Sequence, residues 1–341
     1  MSKRRLTQQQ NRRVTQQRQK PSEGIKLQQE NGLLSEERQG LVITSFGKRV
    51  LIEDAHREAF NCAIRQHLGK LVAGDQVIWR ADIEAGTGVV VSVLPRSHEL
   101  SRPGFRGQTR MVAANIDFIG IVAPVVPGIH PDMIDRYLVA AEQLKIPAII
   151  ILNKTDLLAQ DEDWELVAEL LQPYDEMGIP LIPASTVSQQ GLAELLTFMQ
   201  DKNSVFVGPS GAGKSSLIQA LIPDLEIRIG ALSEATGLGK HTTTNSILYH
   251  LSADPNQSVY HGNLIDSPGV RQFNPTPCSL NELELCYPDF APFLGRCKFH
   301  NCSHAHEPEC AIKNAVENGE IAITRYQSFQ RLREEFSAEK H

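Results

Sequence analysis

The sequence predicts a multidomain chain in which a small antiparallel β-barrel precedes an α/β domain and a C-terminal helical domain. Three observations predict this fold class. Short β-rich runs recur about every ten residues between positions 40 and 94, apolar runs then alternate with helical patterns to about residue 265, and Cys and His residues cluster after Pro275. With 341 residues, of which 41% are hydrophobic, the chain is long enough to bury two or three separate cores.

Positive charge is concentrated at the N-terminal end. Lys and Arg total 34 and Asp and Glu total 40, which gives a formal net charge of −6. Residues 1–20 contain seven cations and no acid, so this segment carries +7 and the remainder carries −13. A basic segment on an acidic body indicates an electrostatic tether to a polyanion, although a solvated tail that aids solubility fits equally well. We predict that residues 1–38, which show no helical or strand period, form a flexible basic arm.

Apolar runs in this sequence are too short to cross a bilayer, which requires about 18 residues. The longest, residues 146–152, has seven residues and includes Pro147. The first ten residues lack the apolar stretch of a secretory signal. We therefore expect a cytoplasmic protein with no membrane partner, and nothing in the sequence requires more than a monomer.

The β-rich runs between residues 40 and 94 are separated by Gly, Asp and charged pairs, as in a small antiparallel barrel. A five-stranded barrel of the oligonucleotide-binding (OB) kind has about this length, and an SH3-like barrel fits the same pattern. We predict an OB-like β-barrel over residues 39–100. A linker is expected to follow it, with a single acid, Glu99, against the cations Arg96, Arg102, Arg106 and Arg110.

Strands and helices alternate through the predicted α/β domain, residues 101–275. The predicted strands are residues 116–122, 148–152, 180–182, 205–207, 246–251 and 263–265. The predicted helices are residues 131–145, 162–177, 192–199 and 214–221. Strands that are apolar throughout and separated by helices indicate a parallel sheet covered on both faces.

A phosphate-binding loop follows the fourth of these strands. Residues 208–216 match G-x-x-x-x-G-K-[ST] between a strand and a helix. The glycines let backbone N–H groups surround a β-phosphate, and the helix N-terminus adds partial positive charge. Lys214 is expected to bind the β- and γ-phosphates and take part in catalysis, and Ser215 to bind Mg²⁺. The candidate nucleotide-binding residues of this loop are Gly208, Pro209, Ser210, Gly211, Ala212, Gly213, Lys214, Ser215 and Ser216.

A second phosphate-side motif, Asp266-Ser267-Pro268-Gly269, follows the last strand. An Asp at the carboxyl end of a strand can hold Mg²⁺, commonly through water, and the Gly269 N–H can reach the γ-phosphate. An ordinary turn fits the same residues. Because the motif follows a phosphate loop in an α/β sheet, we predict the metal role for Asp266.

The base is predicted from Asn153-Lys154-Thr155-Asp156, at the end of the second strand. The Asp156 carboxylate can accept hydrogen bonds from guanine N1–H and from its exocyclic amine, a pair of donors that adenine lacks. Lys154 can lie along the base, and Asn153 can tie this segment to the phosphate loop. Ala184-Ser185 is the candidate second base contact. The motif therefore indicates GTP rather than ATP.

Four potential metal ligands fall between residues 297 and 310. Cys297, Cys302 and Cys310 are joined by one of three neighbouring histidines, His300, His304 or His306. Thiolates with imidazole suit a tetrahedral structural Zn²⁺, and a disulfide is disfavoured in a reducing cytosol. We predict a zinc-binding helical domain over residues 276–341, with Cys62, Cys278 and Cys286 as buried or idle thiols.

These motifs resemble the guanine-nucleotide motifs of small GTPases in a rotated order. The base motif (153–156) and Ala184-Ser185 precede the phosphate loop, and residues 266–269 come last, as in a circular permutation of the domain. The permuted order, the preceding barrel and the following Cys/His segment resemble the RsgA (YjeQ) family of bacterial GTPases of small-ribosomal-subunit biogenesis. The resemblance covers nearly the whole chain from about residue 40 and favours His304 as the fourth zinc ligand.

The resemblance also bears on hydrolysis. Val270 stands where many GTPases have a water-orienting Gln, so the intrinsic rate is expected to be slow. In the loop 237–244, His241 is the candidate that reaches the water and Thr243 the candidate that completes the Mg²⁺ shell. Arg271 is a weaker candidate for stabilising the developing charge.

By resemblance, the chain is a GTP hydrolase that matures the small ribosomal subunit late in assembly, binds the subunit and its rRNA, and is stimulated by it. The residues by themselves indicate a GTPase with polyanion-binding appendages. Three alternatives stay open at this point: a non-catalytic, nucleotide-gated RNA-binding factor, a P-loop kinase or ATPase, and a DNA-binding protein that uses the barrel.

Overall fold

The computed structural model describes residues 34–82, 86–103, 109–225, 246–251, 261–266 and 275–338. This part of the chain divides into two compact units. The described residues up to Leu71, with Asp75–Pro95, form the first, and Val72–Gly74 with the described residues from Arg96 onward form the second. Within the described ranges, no helix has the length and apolar character needed to span a membrane.

The first unit is a closed five-stranded barrel. Its strands are β1 (Arg38–Phe46), β2 (Arg49–Glu53), β3 (Ala59–Ile64), β4 (Gln76–Asp82) and β5 (Thr87–Val93). Each strand pairs with two others in the ring order 1-2-3-5-4-1, and only the β3–β5 pair is parallel. The predicted OB-like barrel is confirmed. Leu34, which lies within the predicted arm, forms a bridge with Asp82.

The centre of the barrel is Trp79, whose side chain is fully buried. Strand alternation directs it inward with Val77 and Ala81. Glycine is required opposite it, because a Cβ on Gly40 would lie 2.8 Å from Trp79 Nε1 and one on Gly88 would lie 2.8 Å from its ring. The barrel is therefore filled by side chains.

The segment predicted as a linker is a β-hairpin, so that prediction is wrong. Strands β6 (Glu99–Pro103) and β7 (Thr109–Ala114) pair antiparallel. Leu100, Val112 and Ala113 are buried. The apolar residues that bury one face of the hairpin are few, and the charge of the arginines obscured them in the sequence.

The α/β part of the second unit has a six-stranded sheet. Its strands are β8 (Phe118–Pro124), β9 (Ala148–Asn153), β10 (Leu181–Ala184), β11 (Asn203–Val207), β12 (Ile247–His250) and β13 (Asn263–Asp266). They lie in the order β10-β9-β8-β11-β13-β12, and only β12 is antiparallel to its neighbour. All seven residues of β8 are buried, as expected for a sheet covered on both faces.

Four helices accompany these strands: α1 (Pro131–Leu144), α2 (Asp161–Glu176), α3 (Leu192–Phe198) and α4 (Lys214–Leu221). Each predicted strand and helix is present, with bounds displaced by at most two residues. Pro131 occupies the first turn of α1, where its missing N–H costs nothing, and Lys145 ends the helix in the left-handed conformation. One face of α1 buries Ile134 and Tyr137.

The C-terminal segment contains three further helices, α5 (Leu280–Leu285), α6 (Ala311–Glu317) and α7 (Ile323–Ala338). A reciprocal pair of hydrogen bonds between Ser279 and Glu282 caps the start of α5. Tyr287, Phe290 and Phe329 form an aromatic core with ring centroids 5.0–5.3 Å apart. These aromatic residues give the segment a core of its own.

An ionic cluster joins α7 to the α/β domain. The Arg325 side chain, 1% exposed, donates to Asp135 on α1 (2.6 Å) and to both carboxylate oxygens of Asp289 (2.7 and 3.1 Å). Its guanidinium lies 4.5 Å from the centre of the Tyr287 ring. The Tyr174 hydroxyl donates to the same Asp135 oxygen at 2.9 Å. Each side chain of this cluster contacts at least one other member of it.

Removing one charge of the cluster should destabilise the second unit. Asp135→Asn is expected to lower the free energy of unfolding by about 3 kcal/mol, because Arg325 stays buried with half of its compensating charge. Asp132→Asn is the matched control. Asp132 binds Arg331 at an exposed position of the same helix, where an ion pair contributes about 1 kcal/mol or less.

The measurement is urea unfolding followed by circular dichroism at 222 nm, since the described α-helices all belong to the second unit. Equal losses in the two variants would contradict the role given to the buried cluster.

Candidate nucleotide site and metal centre

The predicted nucleotide-binding residues meet at one edge of the α/β sheet. Asn153, Ala184 and Asp266 are the last residues of β9, β10 and β13. The register pairs Asn153 with Ala184 on one side and with Pro124 on the other. The loop after β11 opens at the same edge, because β11 runs parallel between β8 and β13. Ligands of open α/β sheets bind at this edge.

Close packing of the phosphate loop requires glycine at two positions. Gly208 has φ +147°, and a Cβ there would lie 2.5 Å from the Val122 carbonyl oxygen. Gly213 has φ +90°, and its Cβ would lie 2.3 Å from Asn153 Nδ2. The loop is therefore pressed against β8 on one side and against the base motif on the other.

Lys214 begins α4 with its ammonium group inside the loop. Its Nζ donates to the carbonyl oxygens of Gly208 and Pro209, both at 2.7 Å. The side chain is only 9% exposed, so a buried cation faces the centre of the loop. Ser215 and Ser216 are exposed on the first turn of the helix. This arrangement of cation, helix N-terminus and hydroxyls suits an anionic phosphate with its metal ion.

Asn153 links the two halves of the site. Its Nδ2 donates to the Ala212 carbonyl oxygen at 2.8 Å. Its Oδ1 is buried and has no hydrogen-bond partner within the described residues. Lys154 follows in the left-handed conformation (φ +67°), and its Nζ donates to the Val126 carbonyl at 2.8 Å.

Asp156 is oriented by the neighbouring strand end. Its carboxylate accepts a hydrogen bond from the Ser185 hydroxyl, which is fully buried and also accepts the Val187 and Ser188 N–H groups at 3.1 Å. The Thr155 hydroxyl donates to the Ala184 carbonyl at 3.1 Å. The carboxylate itself is exposed, so it is held in one orientation at the surface where a base can reach it.

Some of the predicted residues lie outside the described part of the chain. His241, Thr243 and Gly269 are among them, as are Val270 and Arg271. Asp266 is described and ends the strand next to β11. The roles of all six residues stay predictions.

Two contacts around the site were not expected from the sequence. The Tyr137 hydroxyl, whose pKa is raised by burial, interacts with the Gly208 backbone, which partly offsets that rise. Gln190 contacts the Thr155 hydroxyl through its side chain and Ser185 N–H through its carbonyl. Neither residue belongs to a motif, and no signal in one sequence distinguishes them from other polar residues.

A second cluster has the geometry of a metal centre. The ligating atoms of Cys297, Cys302, His304 and Cys310 all lie within 4.8 Å of one another. His304 Nδ1 lies 3.3 Å from Cys310 Sγ and 3.5 Å from Cys297 Sγ, and those two sulfurs are 3.9 Å apart. Tetrahedral Zn²⁺ with ordinary bond lengths requires about 3.6 Å between nitrogen and sulfur and about 3.8 Å between sulfurs. The residues fit a zinc ion.

The structure selects one of the three candidate histidines. His304 is buried within the cluster, whereas His300 and His306 are exposed and belong to no group of potential ligands in the described chain. None of the six cysteines, all of them described, forms a disulfide. Burial raises the pKa of Cys62 to about 12 and that of Cys286 to about 11. These two thiols are therefore protonated and unreactive.

A side chain at position 213 should disturb the contact between the phosphate loop and Asn153. Gly213→Ala forces a Cβ against Asn153 and strains a positive φ, so we expect it to disrupt the Asn153–Ala212 hydrogen bond. Gly211→Ala is the control, because φ is also positive there (+78°) but a Cβ would meet nothing within 4 Å. Gly213→Ala should lower the free energy of unfolding by about 1–2 kcal/mol more than Gly211→Ala. Urea unfolding measures both, and equal losses would contradict the close packing.

Comparison with known proteins agrees with this geometry. The family model described as RsgA GTPase matches residues 93–276. The "Small ribosomal subunit biogenesis GTPase RsgA 1" of Vibrio vulnificus strain YJ016 is 44% identical, over 99% of this chain and 96% of its own length. The RsgA protein of Actinobacillus pleuropneumoniae serotype 5b is 41% identical, over 100% of this chain and 98% of its own.

Solved structures give the same result. YjeQ from Thermotoga maritima is similar with a TM-score of 0.71 and 30% identity, over 88% of this chain and 99% of its own. YloQ, a circularly permuted GTPase, is similar with a TM-score of 0.70 and 27% identity, over 90% of this chain and 97% of its own. The order of motifs around the sheet is thus that of a permuted GTPase. The chain belongs to the RsgA GTPase family.

Proposed function

We propose that this GTPase acts late in maturation of the small ribosomal subunit, binds the subunit and its rRNA, and is stimulated by it. The observation that carries the nucleotide part is the hydrogen bond from Asn153 to Ala212, which joins the base motif to the phosphate loop. The ribosomal part rests on the relatives, whose names describe biogenesis of that subunit. Such a factor would act in the cytoplasm, and we propose that it does so as a monomer.

Guanine recognition is assigned to Asp156. Its carboxylate offers two acceptor oxygens in one plane, which match the N1–H and amine donors on one edge of guanine. Ser185 holds that plane in place. Lys154, whose Nζ donates to the Val126 carbonyl, would cover the base with its aliphatic stem. Ala184 and Ser185 complete the base-binding edge.

Phosphate binding is assigned to residues 208–216, with Lys214 as the main cation. Hydrolysis develops negative charge on the β- and γ-phosphate oxygens, and the ammonium group of Lys214, held at the loop, would stabilise that charge. Mg²⁺ would be held by Ser215, Asp266 and Thr243 and would neutralise phosphate charge when bound. Gly269 would add an N–H to the γ-phosphate, and His241 would orient the attacking water.

The part of the predicted basic arm that precedes Leu34 is proposed to contact rRNA, since Leu34 forms a bridge and Arg38 begins β1. Its seven cations within residues 1–20 would release counterions from RNA, so subunit binding should weaken as salt concentration rises. The Cys/His centre is proposed to hold a structural Zn²⁺, since a closed set of four ligands leaves no position for a substrate.

Base preference tests the guanine assignment. Asp156→Asn replaces one acceptor with a donor, so GTP affinity should fall by about 100-fold or more, while the affinity for xanthosine triphosphate, which has a carbonyl at that position, should rise. Asp161→Asn, at the exposed start of α2, is the charge-matched control. Competition titrations with GTP, XTP and ATP measure the change. Equal binding of ATP and GTP by the unaltered chain would refute the assignment.

Ribosome-stimulated turnover tests the enzymatic part. GTP hydrolysis by the unaltered chain should rise with added small subunits and rise less at high salt. His241→Ala should leave GTP affinity unchanged and lower stimulated turnover by about 100-fold. The control is His300→Ala, at an exposed position. Stimulated turnover that survives in His241→Ala would refute the role of His241, and no turnover with any amount of subunits would favour a non-catalytic nucleotide-gated factor.

A further inference from the structure

A half-buried carboxylate lies behind the histidine of the metal centre. His304 Nε2 is 3.1 Å from Glu284 Oε1, and the two side chains are 5% and 14% exposed. Glu284 belongs to α5, which lies outside the loop that carries the four ligands. The ring is thus contacted on opposite sides, with thiols at Nδ1 and a carboxylate at Nε2.

This arrangement determines which ring nitrogen is available. A neutral imidazole carries one proton and can bind a metal only through its other nitrogen. A carboxylate that accepts from Nε2–H leaves the lone pair on Nδ1, orients the ring and makes Nδ1 a better donor. Because Glu284 lies on the far side of the ring from the sulfurs, it orients the ligand and does not itself bind the metal.

The backbone of His304 is held independently of Glu284. Its carbonyl accepts hydrogen bonds from the Tyr326 hydroxyl (2.6 Å) and from Gln330 Nε2 (2.7 Å), both on α7. These contacts keep the residue in the left-handed conformation, with φ +57°. A change at Glu284 therefore alters the hydrogen bond to the ring and leaves the loop backbone in place.

We propose that Glu284 is a positioning residue of the metal centre, which fixes His304 as the Nε2–H tautomer with Nδ1 directed at the ion. The proposal rests on the structural zinc assigned above. The Glu284–His304 hydrogen bond also connects α5, the first helix of the C-terminal segment, to the metal-binding loop. Loss of such a partner typically weakens metal binding by about 10–100-fold.

The test compares two substitutions with the same change in charge. Glu284→Gln weakens the hydrogen bond to the ring, and Glu284→Ala removes it. Glu309→Gln is the control, because Glu309 is adjacent to Cys310 in sequence but its side chain binds Lys298. Each full-length, zinc-loaded protein is mixed with a chromophoric chelator. The rate of zinc release and the affinity of the protein for zinc are then measured. Long-range ¹H–¹⁵N spectra of the histidine rings identify the metal-bound nitrogen.

We expect zinc binding to weaken by about 10–100-fold in the Glu284 variants, with Ala affected at least as much as Gln, and to stay unchanged in Glu309→Gln. The unaltered protein should show Nδ1 bound and Nε2 protonated. Zinc release at the control rate from both Glu284 variants, or ligation through Nε2, would overturn the proposal while leaving the zinc assignment intact. An unaltered protein purified without chelator that contains no zinc would overturn both.

Discussion

The second unit depends on the ion pairs made by the buried guanidinium of Arg325. It binds Asp135 on the first helix of the α/β domain and Asp289 between α5 and α6, and it stacks on Tyr287. Burying the Arg325 and Asp135 charges is expensive, and the cost is offset only when the charges are paired in good geometry. Helix α7 is therefore docked in one position on α1. The Tyr326 hydroxyl on the same helix donates to the His304 carbonyl. The ionic cluster therefore also determines the position of the metal-binding loop.

The nucleotide site depends on a different constraint, the register of a parallel sheet. Strand ends that are far apart in sequence meet at one edge because β9 pairs with both β8 and β10, and β11 lies between β8 and β13. The circular permutation changes the order in which these strands are connected but leaves their neighbours in the sheet unchanged. Motifs in a rotated order can therefore build one site.

The parts of the fold that were predicted are those encoded locally. The spacing of apolar residues, and the Gly, Asp and charged residues that interrupt them, predicted the barrel and the alternating strands and helices. Fixed residue spacing predicted the phosphate loop and the base motif. The hairpin at residues 99–114 was missed because arginines hid its apolar face. Arg325 and Glu284 were missed for another reason: each acts on a partner distant in sequence, and a single sequence shows no signal for such a pair. The choice of His304 over His300 and His306 likewise depends on burial, which spacing does not reveal.

The order of the strands also bears on how the chain is made. Strands β8, β9 and β10 are contiguous in the sheet and are synthesised before its other three strands, so the half that carries the base motif can pair before the phosphate loop has left the ribosome. Asp135 emerges with this early half, yet its partner Arg325 belongs to α7. A nascent chain thus carries a carboxylate whose counter-ion is translated 190 residues later. Full stability of the domain is reached only after Arg325 has been synthesised.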